Sequence, residues 1–373
     1  MGKVKMILVY GAILGLCVAA IVGYFTSQRP SAAVSESKAI QKTESAQVQV
    51  KAADNVKAEE KPKEELTENI PANVQEKMKK ATQIADNNPV VGIGRGKDFA
   101  KVTRQAIDNA GGLKGLIKPG NTVIIKPNMI RAAKPEAGIV TDYRVVQEIA
   151  NIAKESGASR IIVADGSPWN KSFDGDASDY KTIQGVELLD FNDCKEEECY
   201  KLKPADGLTK IGYFIPKIYM DADVVISAAK LKTHPEATVT LSLKNVFGVP
   251  PANLSGVGFI GKGALHNRGI ANSIIDLNMI RKPDFAVIDG IIGGEGNMPF
   301  SGTPINSEIV LAGKDPVATD TAALTFMGFK VGQVIHIRQA QEKGLGINDI
   351  SKIKIVGADL EKIKMQFKKS ESY

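Results

Sequence analysis

Six short, mostly apolar runs recur beyond residue 88: VVGI at 90–93, TVIIK at 122–126, RIIVA at 160–164, VVISA at 224–228, FAVID at 285–289 and EIVLA at 308–312. Several are continuous and β-branched rather than alternating, as expected of strands covered on both faces, the situation of a largely parallel sheet. Amphipathic stretches separate them, at Phe99–Ala110, Tyr143–Ser156, Ile270–Met279, Val317–Met327 and His336–Lys343. Asp315-Pro316 supplies a helix N-cap followed by proline in the first turn, and Thr141-Asp142 opens another helix. Ile353–Val356 reads as a last strand. The expectation is an α/β domain over 89–373, a mostly parallel sheet with helices on both faces and irregular insertions at 167–222 and 249–268.

The first 88 residues follow other rules. Met6–Phe25 carries no charge over twenty residues, and at about 1.5 Å per residue it would span roughly 30 Å, one bilayer core. Lys3 and Lys5 precede it, which favours a cytoplasmic N-terminus for residues 1–5. A transmembrane anchor over 6–25 is expected. A cleaved signal peptide is the rival, although its apolar region is usually shorter. Residues 26–88 hold ten Lys/Arg, ten Asp/Glu, no aromatic residue and no glycine. Such a segment buries too little apolar surface to offset its ordering entropy, and most of it is expected to be a disordered tether, with a transient helix at Ala72–Ile84. The α/β domain then lies on the extracytoplasmic side of the cell membrane. The net charge is a modest +6, and no basic stripe is interleaved with aromatics, so nucleic acid is excluded as a partner.

Open α/β sheets bind ligands beyond the carboxyl ends of their strands. Here those ends read Lys126-Pro-Asn128, Asp165-Gly-Ser167, Lys230-Leu-Lys232-Thr-His234 and Asp289 followed by a loop with Gly293 and Gly294, with Lys244 and Asn245 close behind His234. Their convergence would form a crevice for a small anion, a carboxylate or a phosphate. Lys126, Lys230 and Lys232 would hold the anion with Asn128, Asn245, Ser167, Gly293 and Gly294. His234 would act as acid or base, and Lys244 and Asp165 or Asp289 would complete the catalytic set. The blander alternatives are caps, turns and a snorkelling lysine. Two function classes remain open, an enzyme acting on such an anion and a tethered binding protein without chemistry.

Other signals are weaker. Gly92-x-Gly94-x-Gly96 is not a full dinucleotide fingerprint and reads as a tight turn. Cys194 and Cys199 flank KEEE and could pair or stay free; two cysteines cannot hold a cubane iron–sulfur cluster, so none is expected.

The order of VGIGRG (91–96), VIIKPN (123–128), IIVADGS (161–167), DADVVISAAKLKTH (221–234), SLKNVFG (242–248), FAVIDGIIGGEG (285–296) and LAGKDPVATDTAA (311–323) resembles the domain of unknown function 362 family. Many of its members carry a ferredoxin-like cysteine run, which is missing here. A fainter likeness is to the nickel-pincer lactate racemases. There a strand leads to a His, a Lys ten residues on bears the pincer nucleotide and a later His ligates nickel. His234, Lys244 and His266 match those positions, which implies a nickel-pincer nucleotide or a divalent metal. Where that family has a further catalytic His, this chain has Pro168.

Overall fold

The computed structural model describes residues 69–168, 171–255 and 262–372. The expected span at 6–25 and the tether up to residue 68 lie outside the described residues, as do Trp169 and residues 256–261. Among the described residues no helix is long and apolar enough to cross a membrane.

The elements follow in chain order: α1 Ala72–Ala81, β1 Val90–Arg95, α2 Phe99–Asn109, β2 Thr122–Pro127, α3 Tyr143–Glu155, β3 Arg160–Asp165, β4 Glu187–Asp190, β5 Cys199–Leu202, β6 Tyr213–Pro216 and α4 Lys217–Asp221. Then come β7 Val224–His234, β8 Thr238–Thr240, α5 Ser242–Asn245, α6 Gly263–Asn267, α7 Ile270–Ile280, β9 Phe285–Glu295, β10 Thr303–Gly313, α8 Pro316–Met327, α9 Ile335–Glu342, β11 Lys354–Val356 and α10 Leu360–Ile363.

One sheet runs in the order β11-β1-β10-β9-β7-β2-β3-β4, with β8 folded onto the end of β7. The central strands β9, β7, β2, β3 and β4 are parallel, and β10 runs antiparallel between β9 and β1. Alternation along the strands divides the core. Val123 and Ile125 face α2 and α3 with Val145, Val146 and Ile149, whereas Ile124 and Ile288 face α7 and α8 with Ile274, Val317 and Leu324. Helices cover both faces, as the continuous apolar runs require. Asp315 caps α8, accepting from the amides of Val317 (2.8 Å) and Ala318 (3.0 Å), and Asp142 caps α3 through Arg144 N at 2.9 Å.

Three expectations need correction. Gly92 and Gly94 are strand residues, not a turn. A Cβ on them would lie 2.2 Å from the Ala106 carbonyl oxygen and 2.0 Å from that of Val102, so they let α2 press against β1. The insertion at 167–222 is partly regular: β4 extends the main sheet, and β5 and β6 form a separate antiparallel pair. The tether does not reach residue 88, because α1 docks on the body through buried Val74. Lys77 Nζ donates to the carbonyls of Met220 (2.7 Å), Asp221 (3.1 Å) and Ala222 (2.9 Å), the end of α4 where a helix dipole favours a cation.

Candidate functional site

Strands β2 and β3 end side by side, and their last charged residues meet. Lys126 Nζ donates to Asp165 Oδ1, and Asp165 Oδ2 accepts from the amide of Met129 at 2.7 Å. Both side chains are buried. Burial pushes the Lys126 amine below its ordinary value, and the Asp165 charge opposes that push. Asn245, from α5, seals the pair: its Oδ1 accepts from Lys126 Nζ at 3.3 Å and its amide nitrogen donates to the Lys126 carbonyl at 2.8 Å. Gly248 passes directly over the pair. A Cβ there would fall 2.3 Å from Asp165 Oδ1 and 2.6 Å from Lys126 Nζ, so any side chain would have to displace the buried pair.

Above this pair lies a cavity of about 70 Å³. Polar groups of Asn128, Asp165, His234, Glu236, Lys244, Asn245, Lys262 and His266 reach its wall, and Met129, Phe247, Pro299 and Phe300 supply apolar surface. His234 closes β7, and its Nδ1 accepts from the amides of Glu236 (3.1 Å) and Ala237 (3.2 Å). With Nδ1 used as an acceptor, the neutral ring carries its proton on Nε2. Burial, then Lys244 and Lys232, push its pKa well below the ordinary value. His234 is therefore a neutral donor here, not a group poised to take up a proton. The Nδ1 of His266 lies 2.8 Å from Glu236 Oε2.

Lys244 is buried on α5. That one-turn helix is held by Asp320, whose two carboxylate oxygens accept from the amides of Ser242 (2.8 Å) and Leu243 (2.9 Å). Burial pushes the Asp320 carboxyl up to about 8 against the pull of those amides. Burial lowers Lys244 to about 8, and its Nζ stands 5.6 Å from the centre of the Phe247 ring. Among the described residues it has no hydrogen-bond or ion-pair partner. Lys262 is lowered by burial to about 7, and its Nζ donates to the carbonyls of Gly166 (2.7 Å) and Phe247 (3.4 Å).

The structure brings Asn128, Asp165, His234, Lys244, Asn245 and His266 to one cavity, with Lys126 directly beneath. It keeps the other expected residues off the wall. Lys230 and Asp289 pair at 2.7 Å in mid-sheet, and Asp289 also accepts from the Asp142 amide at 2.9 Å. Lys232 donates to the Ile139 carbonyl and is pushed well below its ordinary value by burial and the nearby lysines. Ser167 Oγ donates to the Ile130 carbonyl at 3.0 Å. Gly293 and Gly294 belong to β9, not to a loop. A Cβ on Gly294 would come 2.7 Å from the Gly138 carbonyl oxygen, so closeness to that segment explains its lack of a side chain. Sequence reasoning missed Lys262 and Glu236. Glu236 stands two residues after His234, a usable signal; Lys262 sits between glycines, and only the fold brings it to Gly166.

Among the described residues no group of three His, Cys, Asp or Glu side chains is placed to hold a metal ion. The donor set therefore does not fit a metal held by side chains alone. Cys194 and Cys199 are free thiols, buried, and raised by that burial to about 11 and about 12.

The chain is 28% identical over 253 residues to a thylakoid-associated protein of Synechocystis sp., a match covering 66% of this chain and 74% of that one. Two solved structures are similar at low identity. One is the lactate racemase apoprotein of Thermoanaerobacterium thermosaccharolyticum, with 15% identity, a TM-score of 0.36 and coverage of 62% of this chain and 55% of that one. The other is a protein of Thermotoga maritima, with 10% identity, a TM-score of 0.37 and coverage of 63% and 61%. This chain thus spans less than two thirds of either structure. The model of the domain of unknown function DUF362 matches residues 123–325, more than half of the chain, and the chain belongs to that family.

Proposed function

We propose that the cavity binds a small anion, a carboxylate or phosphate, and that the protein is an enzyme acting on it. One observation carries this reading: the Lys244 amine is buried at the cavity with no partner among the described residues. Burying an amine that no acceptor contacts is costly; Glu236 offsets that cost only through space, and an anion in contact with the amine would remove it. The Nε2–H of His234 is a second donor. Asp165 is already neutralised by Lys126, and Glu236, the acid whose field reaches Lys244, makes its ion pair with His266.

The alternative is a binding protein without chemistry. Anchoring through residues 6–25, with the domain extracytoplasmic, belongs to the same proposal; it is supported by the uncharged run and by the thylakoid association named for the relative. A metal-bearing nucleotide that brings its own donors is a second cofactor reading. It is favoured by the Glu236–His266 pair, since a carboxylate on one ring nitrogen orients the other for ligation.

The test is thermal denaturation with acetate, lactate and inorganic phosphate, on wild type and Lys244→Met. A ligand at about a hundred times its Kd stabilises by about 2.7 kcal/mol. The reading expects a rise in melting temperature with at least one of these anions that Lys244→Met abolishes. No rise with any of them, or equal rises in both proteins, overturns it. Intact-mass and elemental analysis of the purified protein separates the cofactor reading from the rest.

A further inference from the structure

Five lysines of the described chain are buried: Lys126, Lys230, Lys232, Lys244 and Lys262. Four are committed. Lys126 and Lys230 donate to carboxylates, Lys232 and Lys262 to backbone carbonyls. A nitrogen held in this way is anchored by its N–H bonds and is less able to swing toward a reacting carbon. Lys244 differs, since its Nζ has no acceptor among the described residues, stands beside the Phe247 ring and belongs to the cavity wall. Chemistry at an amine requires a free lone pair on nitrogen, and burial disfavours the ammonium form, outweighing the Phe247 ring and Glu236, which favour it.

The cavity, about 70 Å³, has room for several water-sized groups at about 10–15 Å³ each. It admits a molecule as small as a three-carbon 2-oxo acid. Such a molecule has the two features that the wall addresses, a carboxylate for a cationic or N–H donor and a carbonyl carbon for an amine.

We infer that Lys244 is an imine-forming nucleophile for a small 2-oxo acid. The lone pair of Nζ adds to the keto carbon and the carbonyl π bond opens, giving a carbinolamine. The C–O bond then breaks as C=N forms, and the oxygen departs as water with the two hydrogens of the original amine. The balance is one amine and one ketone in, one imine and one water out, with no oxidant or reductant. His234, as an Nε2–H donor, faces the developing oxyanion or the carboxylate. The His266–Glu236 pair stands on the same wall as the group through which protons pass to the leaving oxygen. Lowering of Lys244 to about 8 leaves roughly a tenth of it as free amine at pH 7, far more than an ordinary lysine would hold. The inference rests on the anion-site reading and extends it.

The experiment uses the full chain with pyruvate, with and without sodium borohydride, followed by intact-mass and peptide-mass analysis. Lactate, which has the carboxylate but no keto group, is the control. The expected result is one borohydride-dependent pyruvate adduct on the peptide carrying Lys244, absent from Lys244→Met. If pyruvate and lactate both raise the melting temperature but no adduct forms at Lys244, the anion site stands and imine formation is overturned. If neither acid changes the melting temperature and no adduct forms, imine formation is overturned, and the anion-site reading falls with it when acetate and inorganic phosphate also leave the melting temperature unchanged. An adduct that persists in Lys244→Met overturns the assignment of the nucleophile.

Discussion

Glu236 Oε2 lies 2.8 Å from His266 Nδ1. The backbone amide of the same glutamate donates to His234 Nδ1 at 3.1 Å. One residue thus orients both cavity histidines, one through its side chain and one through its main chain. Substituting Glu236→Gln should leave the His234 contact intact and weaken only the hold on His266. The expected outcome is a change in the NMR signals of the His266 ring with those of His234 unmoved, and a stability change below about 1 kcal/mol, as for a partly exposed pair. Movement of both rings together would contradict this division.

The Lys126–Asp165 pair is buried, so removing one partner strands a charge. Asp165→Asn or Lys126→Ala should each cost about 3–5 kcal/mol, whereas Lys126→Met with Asp165→Leu should recover much of the loss. Gly248→Ala should damage the same pair by intrusion, with Cβ 2.3 Å from Asp165 Oδ1. Urea denaturation of the set would show whether the glycine and the pair behave as one unit.

Lys244 should leave a signature in the pH dependence of stability. Its amine is about 8 in the folded chain against 10.5 as the ordinary value. Between those values the unfolded chain holds the proton and the folded chain has released it, so the contribution of Lys244 to stability rises with pH across that window and is level below about 8. The full swing is about 3 kcal/mol at roughly 1.4 kcal/mol per pH unit. Lys262, lowered to about 7, adds a similar rise beginning one unit lower. Lys244→Met should keep the rise due to Lys262, with a shallower slope above about pH 8, and should be the more stable protein near neutral pH. Denaturation midpoints from pH 6.5 to 10.5 check this, read as the difference between the two proteins.

Asp320 acts on Lys244 only through α5. Asp320→Ala would free the amides of Ser242 and Leu243 in a buried place, at a cost of about 1–3 kcal/mol for each unsatisfied group. The lysine that follows would lose its fixed position. Asp320→Asn keeps one acceptor and should lose about half as much. Stability measured together with anion-induced thermal shifts separates a positioning role, in which binding falls more than stability explains, from a merely structural one.

Much of this architecture was legible. The continuous β-branched runs specify a sheet covered on both sides, and Asp142 and Asp315 announce their helices. The ends of β2 and β3 were readable because Pro127-Asn128 and Gly166-Ser167 stop those strands just after Lys126 and Asp165. The ends of β7 and β9 were not. Lys230, Lys232 and Asp289 resemble terminal residues because charged groups are rare inside sheets, yet β7 continues to His234 and β9 to Glu295, each supported by a further strand. Lys230 and Asp289 neutralise one another across the ladder, a pairing that no local pattern reveals. The same holds for α1, whose composition is that of a solvated chain and whose order depends on Val74 and Lys77 meeting a surface more than a hundred residues away.

The ladder between β7 and β9 matches Lys230 with Asp289 and next Lys232 with Gly294, so β9 spends five residues where β7 spends two. The surplus is not loose: Gly290, Ile292 and Gly293 pair with Ile309, Asn306 and Ile305 of β10, and a Cβ on Gly290 would lie 2.6 Å from the Leu231 side chain. Below the mismatch β7 and β9 are locked by an ion pair; above it each leans on a different neighbour, β7 on β8 and β9 on β10. The strand that carries His234 to the cavity thus parts company with the one beside it just where the binding surface begins.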